Sequence, residues 1–220
     1  MSKKVIIVGG EGNGGVIAAC IEDNRNRYGD LEWEVAGFVN DFDQEVCGYP
    51  VLGTTKDIPT LLKNPDYFFM WGIHLVARNV LTEKMFREAA IPRERLATII
   101  HKTAFIGQGA VIEPGVMVMS NCYVGPGAHV GLCSLIMANC SIGHNTFIDE
   151  LCHCSVGAIM TGYSKMSLCS DLAVGATLLA YKVVGKFAMA GAASLVSHDI
   201  PDYEIHAGVP AKYLKNTRLD

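Results

Sequence analysis

The chain reads as an α/β domain followed by a β-solenoid, and three observations carry that reading. Residues 1–97 alternate short apolar runs with glycine turns and helical stretches. From Ile100 onward the hydrophobic period changes to six, a spacing that neither an α-helix nor a flat sheet produces. Glycine reaches 23 of 220 residues while aromatics stay at 8%, so the fold needs many tight turns and few bulky rings.

In the first part, residues 4–8 form an apolar strand that runs into Gly9-Gly10-Glu11-Gly12-Asn13-Gly14-Gly15, and residues 16–22 continue as a helix. Residues 34–39 are a second strand ending at Asn40-Asp41. Thr54 or Thr55 caps a helix through Leu62, with Asp57 in its first turn to complement the helix dipole. Tyr67–Trp71 is a third strand stopped by Gly72, and Asn79–Ala89 is a helix with Val80, Leu81, Met85 and Phe86 on its apolar side. Strands alternating with helices predict a small parallel sheet covered by helices.

Stepping by six from Ile100 to Val196 gives 17 positions, of which 15 are Ile, Val, Leu or Met and the other two are Cys154 and Ala190. Four residues after each comes a second series, small at almost every step, as at Ala110, Cys122, Ala128, Ser134 and Cys140. A chain wound with three short strands per turn has this pattern at 18 residues per coil. The large aliphatic points into a triangular interior, and the small residue fits near the corner. Lys182 interrupts the small series, which predicts a bulge at Tyr181-Lys182. The repeat fades after Val196: residues 197–201 leave the coil, and Ala207-Gly208-Val209-Pro210-Ala211-Lys212 turns into a tail that closes the open end against edge pairing. The expected units are 1–97, 98–200 and 201–220.

Composition narrows the function. Lys+Arg is 18 and Asp+Glu is 22, a net charge of -4 without a basic footprint for nucleic acid. Half the residues are hydrophobic, yet no run reaches the 18 that a membrane span needs, and the start lacks a secretory leader's apolar core, so a soluble, cytoplasmic protein is expected. The eight cysteines contain no CxxC and read as small core fillers in a reducing compartment.

Three motifs then carry a resemblance that covers residues 4–214. They are the loop from Gly9 to Gly14, the pair Ile142-Gly143-His144-Asn145 and Cys152-His153-Cys154-Ser155-Val156-Gly157-Ala158, and Gly208-Val209-Pro210-Ala211-Lys212. Together they resemble the hexapeptide-repeat acyltransferases, in the branch that N-acetylates nucleotide-linked amino sugars or O-acetylates sialic acid. The resemblance implies a Rossmann-like nucleotide-sugar domain, a left-handed parallel β-helix, a homotrimer and acetyl-CoA as cosubstrate bound between subunits. The products of such enzymes feed polysaccharide biosynthesis or protein glycosylation. Two departures stand out: Asn13 replaces a common loop histidine, and Asn145 replaces the acidic residue that usually follows the catalytic histidine.

By the same resemblance His144 is the general base that takes a proton from the sugar amine; Asn145, in place of the family's acidic residue, is expected on physical grounds to orient it through its amide oxygen, more weakly than a carboxylate. His153 contacts the thioester end of acetyl-CoA, and the cofactor arm follows Gly157, Ala158, Gly175, Ala176, Gly191 and Ala192 to Pro210 and Lys212. The nucleotide sugar is expected at Gly9, Gly10, Glu11, Gly12, Asn13 and Gly14, with Asn40, Asp41, Gly72 and Arg78 around it. Counting 18 residues per coil puts Asp171 beside His153, where it is expected to accept a hydrogen bond, and Gly162 beside His144, where it is expected to leave room for substrate. His129, His144 and His153 are 15 and 9 residues apart and share no column, so no metal is expected. The leading function is an acetyl-CoA-dependent N-acetyltransferase acting on a nucleotide-linked 4-amino-4,6-dideoxy sugar. The alternatives are an O-acetyltransferase of a sialic-acid-like sugar and a catalytically impaired nucleotide-sugar-binding trimer.

Overall fold

The computed structural model describes residues 2–218. Strand β1 (Lys3–Val8) lies between β2 (Trp33–Val39) and β5 (Tyr67–Trp71), parallel to both. Between β2 and β5 a hairpin of β3 (Glu45–Val46) and β4 (Tyr49–Gly53) extends the sheet to five strands, in the order β3-β4-β2-β1-β5. The sequence reading missed this hairpin, because β3 has two residues and β4 carries Pro50, a residue suited only to an edge.

Helix α1 spans Asn13–Tyr28, starting earlier and ending later than expected. It begins inside the glycine run because a Cβ at Gly14 would stand 3.1 Å from the Phe38 ring, and its absence lets the helix settle on the sheet. Gly29, at φ 68°, ends it in the left-handed conformation. Of the two threonines expected to cap, Thr54 does so, in a capping box with Asp57, although only Ile58–Leu61 (α2) is α-helical after a 3-10 turn. Helix α3 is Asn79–Ala89.

The hexapeptide coils build the three-faced left-handed parallel β-helix. The first face carries Phe105–Ile106, Tyr123–Val124, Ser141–Ile142, Ile159–Met160, Thr177–Leu178 and Leu195–Val196. The second starts at Val111–Ile112 and ends at Val183–Val184; the third starts at Ile99–Ile100 and continues into the tail. Successive coils pair in register 18 residues apart, as in His153 with Asp171 and Ile142 with Met160. The six-step aliphatics from Val118 to Val196 fill the interior with at most 1% exposure.

The coil is more regular and longer than expected. The coil does not bulge at Lys182: Lys165 N–H donates to its carbonyl and its own N–H donates to Leu179, so a half-buried lysine is carried on a regular corner. Nor does the chain leave the coil before Ile200, which still pairs with Val184. Beyond it Glu204–Ala207 adds to the third face parallel to Met189–Ala190, and Lys212–Asn216 folds back on it antiparallel.

The α/β sheet docks on the third face and on the corner before it. Met117, Leu135 and Met137 pack with Ile7, Ile17 and Met70, and Leu151, Cys169 and Phe187 pack with Trp71 and Phe86. Two buried amides pin the contact: Asn24 bridges Ile100 and Lys102, and Asn79 donates to the Cys169 carbonyl.

Candidate active site

The carboxyl ends of β1 and β5 open onto a cavity of about 340 Å³, lined by Gly9, Gly10, Gly12, Asn13, Gly72, the stretch Ile73 to Val76, and His153. Ligands of open α/β sheets are met at this edge. The loop is narrow because backbone meets backbone: a Cβ on Gly9, at φ 149°, would lie 3.3 Å from the Gly72 carbonyl carbon. Gly12 faces open space.

Not every residue expected around the nucleotide sugar lines this cavity. Asn40 is spent on holding the loop, donating to the Gly9 carbonyl and accepting from the N–H groups of Phe42 and Asp43. The Asp41 carboxylate accepts from the Thr55 N–H and hydroxyl and so caps the 3-10 turn. Gly14 packs against the sheet, Glu11 is exposed, and Arg78, whose backbone N–H donates to Leu75, precedes α3 without itself lining the cavity.

His153 lies on the outer side of its coil, as expected, but the docked sheet covers it to 8% exposure. Its partner is not Asp171. The ring stacks on His74, centroids 4.2 Å apart and planes at 17°, and its Nδ1 meets Ser155 Oγ at 3.2 Å. Asp171, 2% exposed, has its carboxylate 3.3 Å from His74 Nε2 at an angle that makes no hydrogen bond. Burial opposes charge on His74, but the Asp171 carboxylate outweighs it and holds the pKa above the ordinary 6.5. Burial first, then the charge on His74, pushes His153 down to about 4. Sequence reasoning missed His74 because it comes from the other half of the chain. Its place two residues beyond Gly72, at the carboxyl end of a parallel strand, was the signal that could have found it.

His144 is exposed at the corner between the first and second faces, away from the glycine-loop cavity, which sits against the third. Its Nδ1–H donates to Asn145 Oδ1 at 3.1 Å. Asn145 has φ 55°, in a column with Gly127 at 66°, Tyr163 at 60° and Tyr181 at 61°; an asparagine tolerates that conformation better than most residues. Gly162 does not leave room for substrate as expected, because the imidazole fills the space itself: a Cβ there would lie 2.6 Å from His144 Nε2. Tyr163 meets the imidazole edge-on, and Tyr181 stacks on Tyr163 with centroids 5.2 Å apart.

Of the residues expected along acetyl-CoA, Gly157 and Gly175 share the corner between the third and first faces, each with φ above 60° and open space beyond. Exposed Val156, Val174 and Ala192 line the same corner. Ala158 and Ala176 are fully buried in the core, and their backbone N–H and carbonyl groups are taken up by the coil's own hydrogen bonds, so neither reaches a ligand as expected. Gly191 is covered by the tail at Ala207. Pro210 and Lys212 are exposed, on a turn held to that corner by Leu195 N–H donating to Gly208 and Ala211 N–H donating to Leu195.

A sequence model of the bacterial transferase hexapeptide family (six repeats) matches residues 97–132. No curated protein sequence matches the chain. Among solved structures it is similar to a histidine-to-asparagine mutant of perosamine N-acetyltransferase from Caulobacter crescentus in complex with CoA and GDP-perosamine, at 25% identity, with a TM-score of 0.83 and 97% of both chains covered. It is similar also to the acetyltransferase domain of PglB from Neisseria gonorrhoeae in complex with acetyl coenzyme A, at 27% identity and TM-score 0.83, over 97% of this chain and 100% of that one. WeeI from Acinetobacter baumannii, at 17% identity and TM-score 0.77 over 96% of this chain and 99% of that one, shares the fold. A run of hexapeptide coils behind a glycine-loop sheet, matched over nearly its whole length by acetyltransferases of that build, makes this chain a hexapeptide-repeat acyltransferase.

Proposed function

We propose that the chain is an acetyl-CoA-dependent N-acetyltransferase of a nucleotide-linked 4-amino-4,6-dideoxy sugar, working as a homotrimer with His144 as general base. The observation that carries this is an exposed imidazole fixed by an amide oxygen, in a chain that also has a glycine-loop cavity on another side of the coil. The bound CoA and GDP-perosamine of the Caulobacter relative support both ligands. Residues 2–97 hold the nucleotide end, residues 98–200 supply the base and the acetyl-CoA groove, and residues 201–218 cover the coil's end. No helix among the described residues is long and apolar enough to cross a membrane.

With Nδ1–H committed to Asn145, Nε2 carries the lone pair. The amine attacks the thioester carbonyl, a C–N bond forms, Nε2 takes the amine proton and the C–S bond breaks to release CoA thiolate. An amine gives up one proton in a late, easy step, whereas a hydroxyl needs stronger base assistance, so the neutral Asn145 favours nitrogen over oxygen.

His144 and the cavity sit on different sides of one coil, so a site using both is built by two subunits. Apolar rows left exposed on the first and second faces, Phe105, Tyr123 and Ile159 with Val111 and Phe147, supply the surface for that contact. The deciding experiment is CoA-thiol release with acetyl-CoA and UDP-, dTDP- and GDP-linked amino sugars beside free sialic acid. Release with an amino sugar supports the reading; release with sialic acid alone, or with none of the panel, overturns it.

Two variants probe the base. Asn145→Asp puts a carboxylate beside the imidazole, which favours imidazolium and raises the base's pKa. The acidic limb of kcat/KM then moves to higher pH, with an equal or higher plateau, while Asn145→Ala loses activity without the move. An unmoved limb in Asn145→Asp removes Asn145 from the mechanism. Gly162→Ala lifts the ring from its seat and is expected to lower kcat by about 10- to 100-fold, the cost of misplacing a catalytic group by an ångström or so. Circular dichroism and thermal unfolding check that the coil is intact.

A further inference from the structure

We propose that His74, His153 and Asp171 bind one divalent transition-metal ion, of zinc's ligand preference, at the floor of the glycine-loop cavity. Two separate parts of the fold bring the three together. His74 follows β5 at the edge of the sheet, and His153 and Asp171 are register partners on adjacent coils of the third face. One nitrogen from each imidazole and one carboxylate oxygen all lie within 4.8 Å of one another.

The second observation is that, beyond the 3.3 Å approach of His74 Nε2 to the Asp171 carboxylate, the protein gives these atoms no hydrogen bond. His74 Nε2, His153 Nε2 and both Asp171 oxygens are buried and lack a hydrogen-bond partner among the described residues. A carboxylate taken out of water without donors is costly, and a cation between the three groups satisfies all of them together. His153 is also dressed as a ligand: its Nδ1 pairs with Ser155 Oγ at 3.2 Å, a contact that holds the ring and, in the tautomer with the proton on Nδ1, leaves Nε2 free to take the ion.

Two imidazole nitrogens with one carboxylate oxygen is a donor set taken by zinc, and by iron in open three-ligand sites. Ligand atoms around tetrahedral zinc stand about 3.3 Å apart, so closing on the ion draws the side chains together by up to about 1.5 Å and tilts the stacked rings apart. His74 and His153 both line the cavity, so the remaining coordination position opens toward it. Neither His129, which meets Glu113 on the second face, nor His144 takes part.

The test uses the full chain, free of any histidine tag and stripped with a chelator, titrated with Co²⁺ and with Zn²⁺ against a chromophoric chelator. We expect one ion per chain, with the intense visible bands of four-coordinate Co²⁺. Asp171→Asn and His153→Gln abolish the bands, His129→Gln keeps them, and Ser155→Ala weakens affinity about 10- to 100-fold. Failure of the unmodified chain to bind either ion stoichiometrically overturns the proposal, and so does binding that survives unchanged in Asp171→Asn and His153→Gln. Should those two variants misfold, the cobalt spectrum of the unmodified chain and the Ser155→Ala affinity decide. None of these readouts depends on acetyl transfer, so the site stands or falls apart from the proposed reaction.

Discussion

His144→Ala is expected to lower kcat by about 10²-fold or more, the usual size of general-base assistance. Nucleotide-sugar affinity should change little, since the glycine loop lies on the other side of the coil. The imidazole is exposed and, among the described residues, hydrogen-bonds only to its chain neighbour, so removing it empties a surface site over Gly162, leaves the buried core untouched and keeps the fold intact. Steady-state kinetics at saturating acetyl-CoA, with direct titration of the nucleotide sugar, separate the two effects. Near-native turnover would mean that the base lies elsewhere or that the amine arrives unprotonated.

The second large effect is a rescue. Gly12→Asp places a carboxylate at the loop where the nucleotide's phosphates are expected, and it does so in open space, so the loop need not move. That variant should be as inactive as His144→Ala. If each site takes His144 from one subunit and the glycine loop from another, chains of the two kinds unfolded together and refolded as mixed trimers regain activity. For random equal mixing, about a quarter of the sites pair an intact histidine with an intact loop, so about a quarter of native activity returns. Mixed trimers as inactive as either parent would place both halves of the site in one chain.

The coil was legible because its rule repeats. Each turn restates the demand for a large side chain inside and a small one at the corner, so the substitution of Lys182 for one small residue neither hides the pattern nor breaks the ladder. The same count placed Asp171 beside His153, since register along a solenoid is integer arithmetic. It failed where side-chain direction decides. Gly162 stands at the height of His144, but whether the gap holds a ligand or the imidazole is a rotamer question that spacing does not answer. It failed also for His74, whose neighbours depend on how a separate sheet docks on the coil. In the sheet, Tyr67–Trp71 and Asn79–Ala89 were read to the residue because apolar runs mark them, whereas the β3–β4 hairpin has too few residues to show a period.

The 18-residue register also governs which length changes this gene can accept. One residue added within a coil turns every later side chain inside out, putting charged groups in the core. Six residues keep the core but rotate everything downstream by one face, carrying His153 from beneath the sheet to a bare side of the prism. Eighteen residues restore each column and only lengthen the shaft. Descendants of such a chain can therefore grow taller in whole turns while the orientation of every functional corner is inherited unchanged.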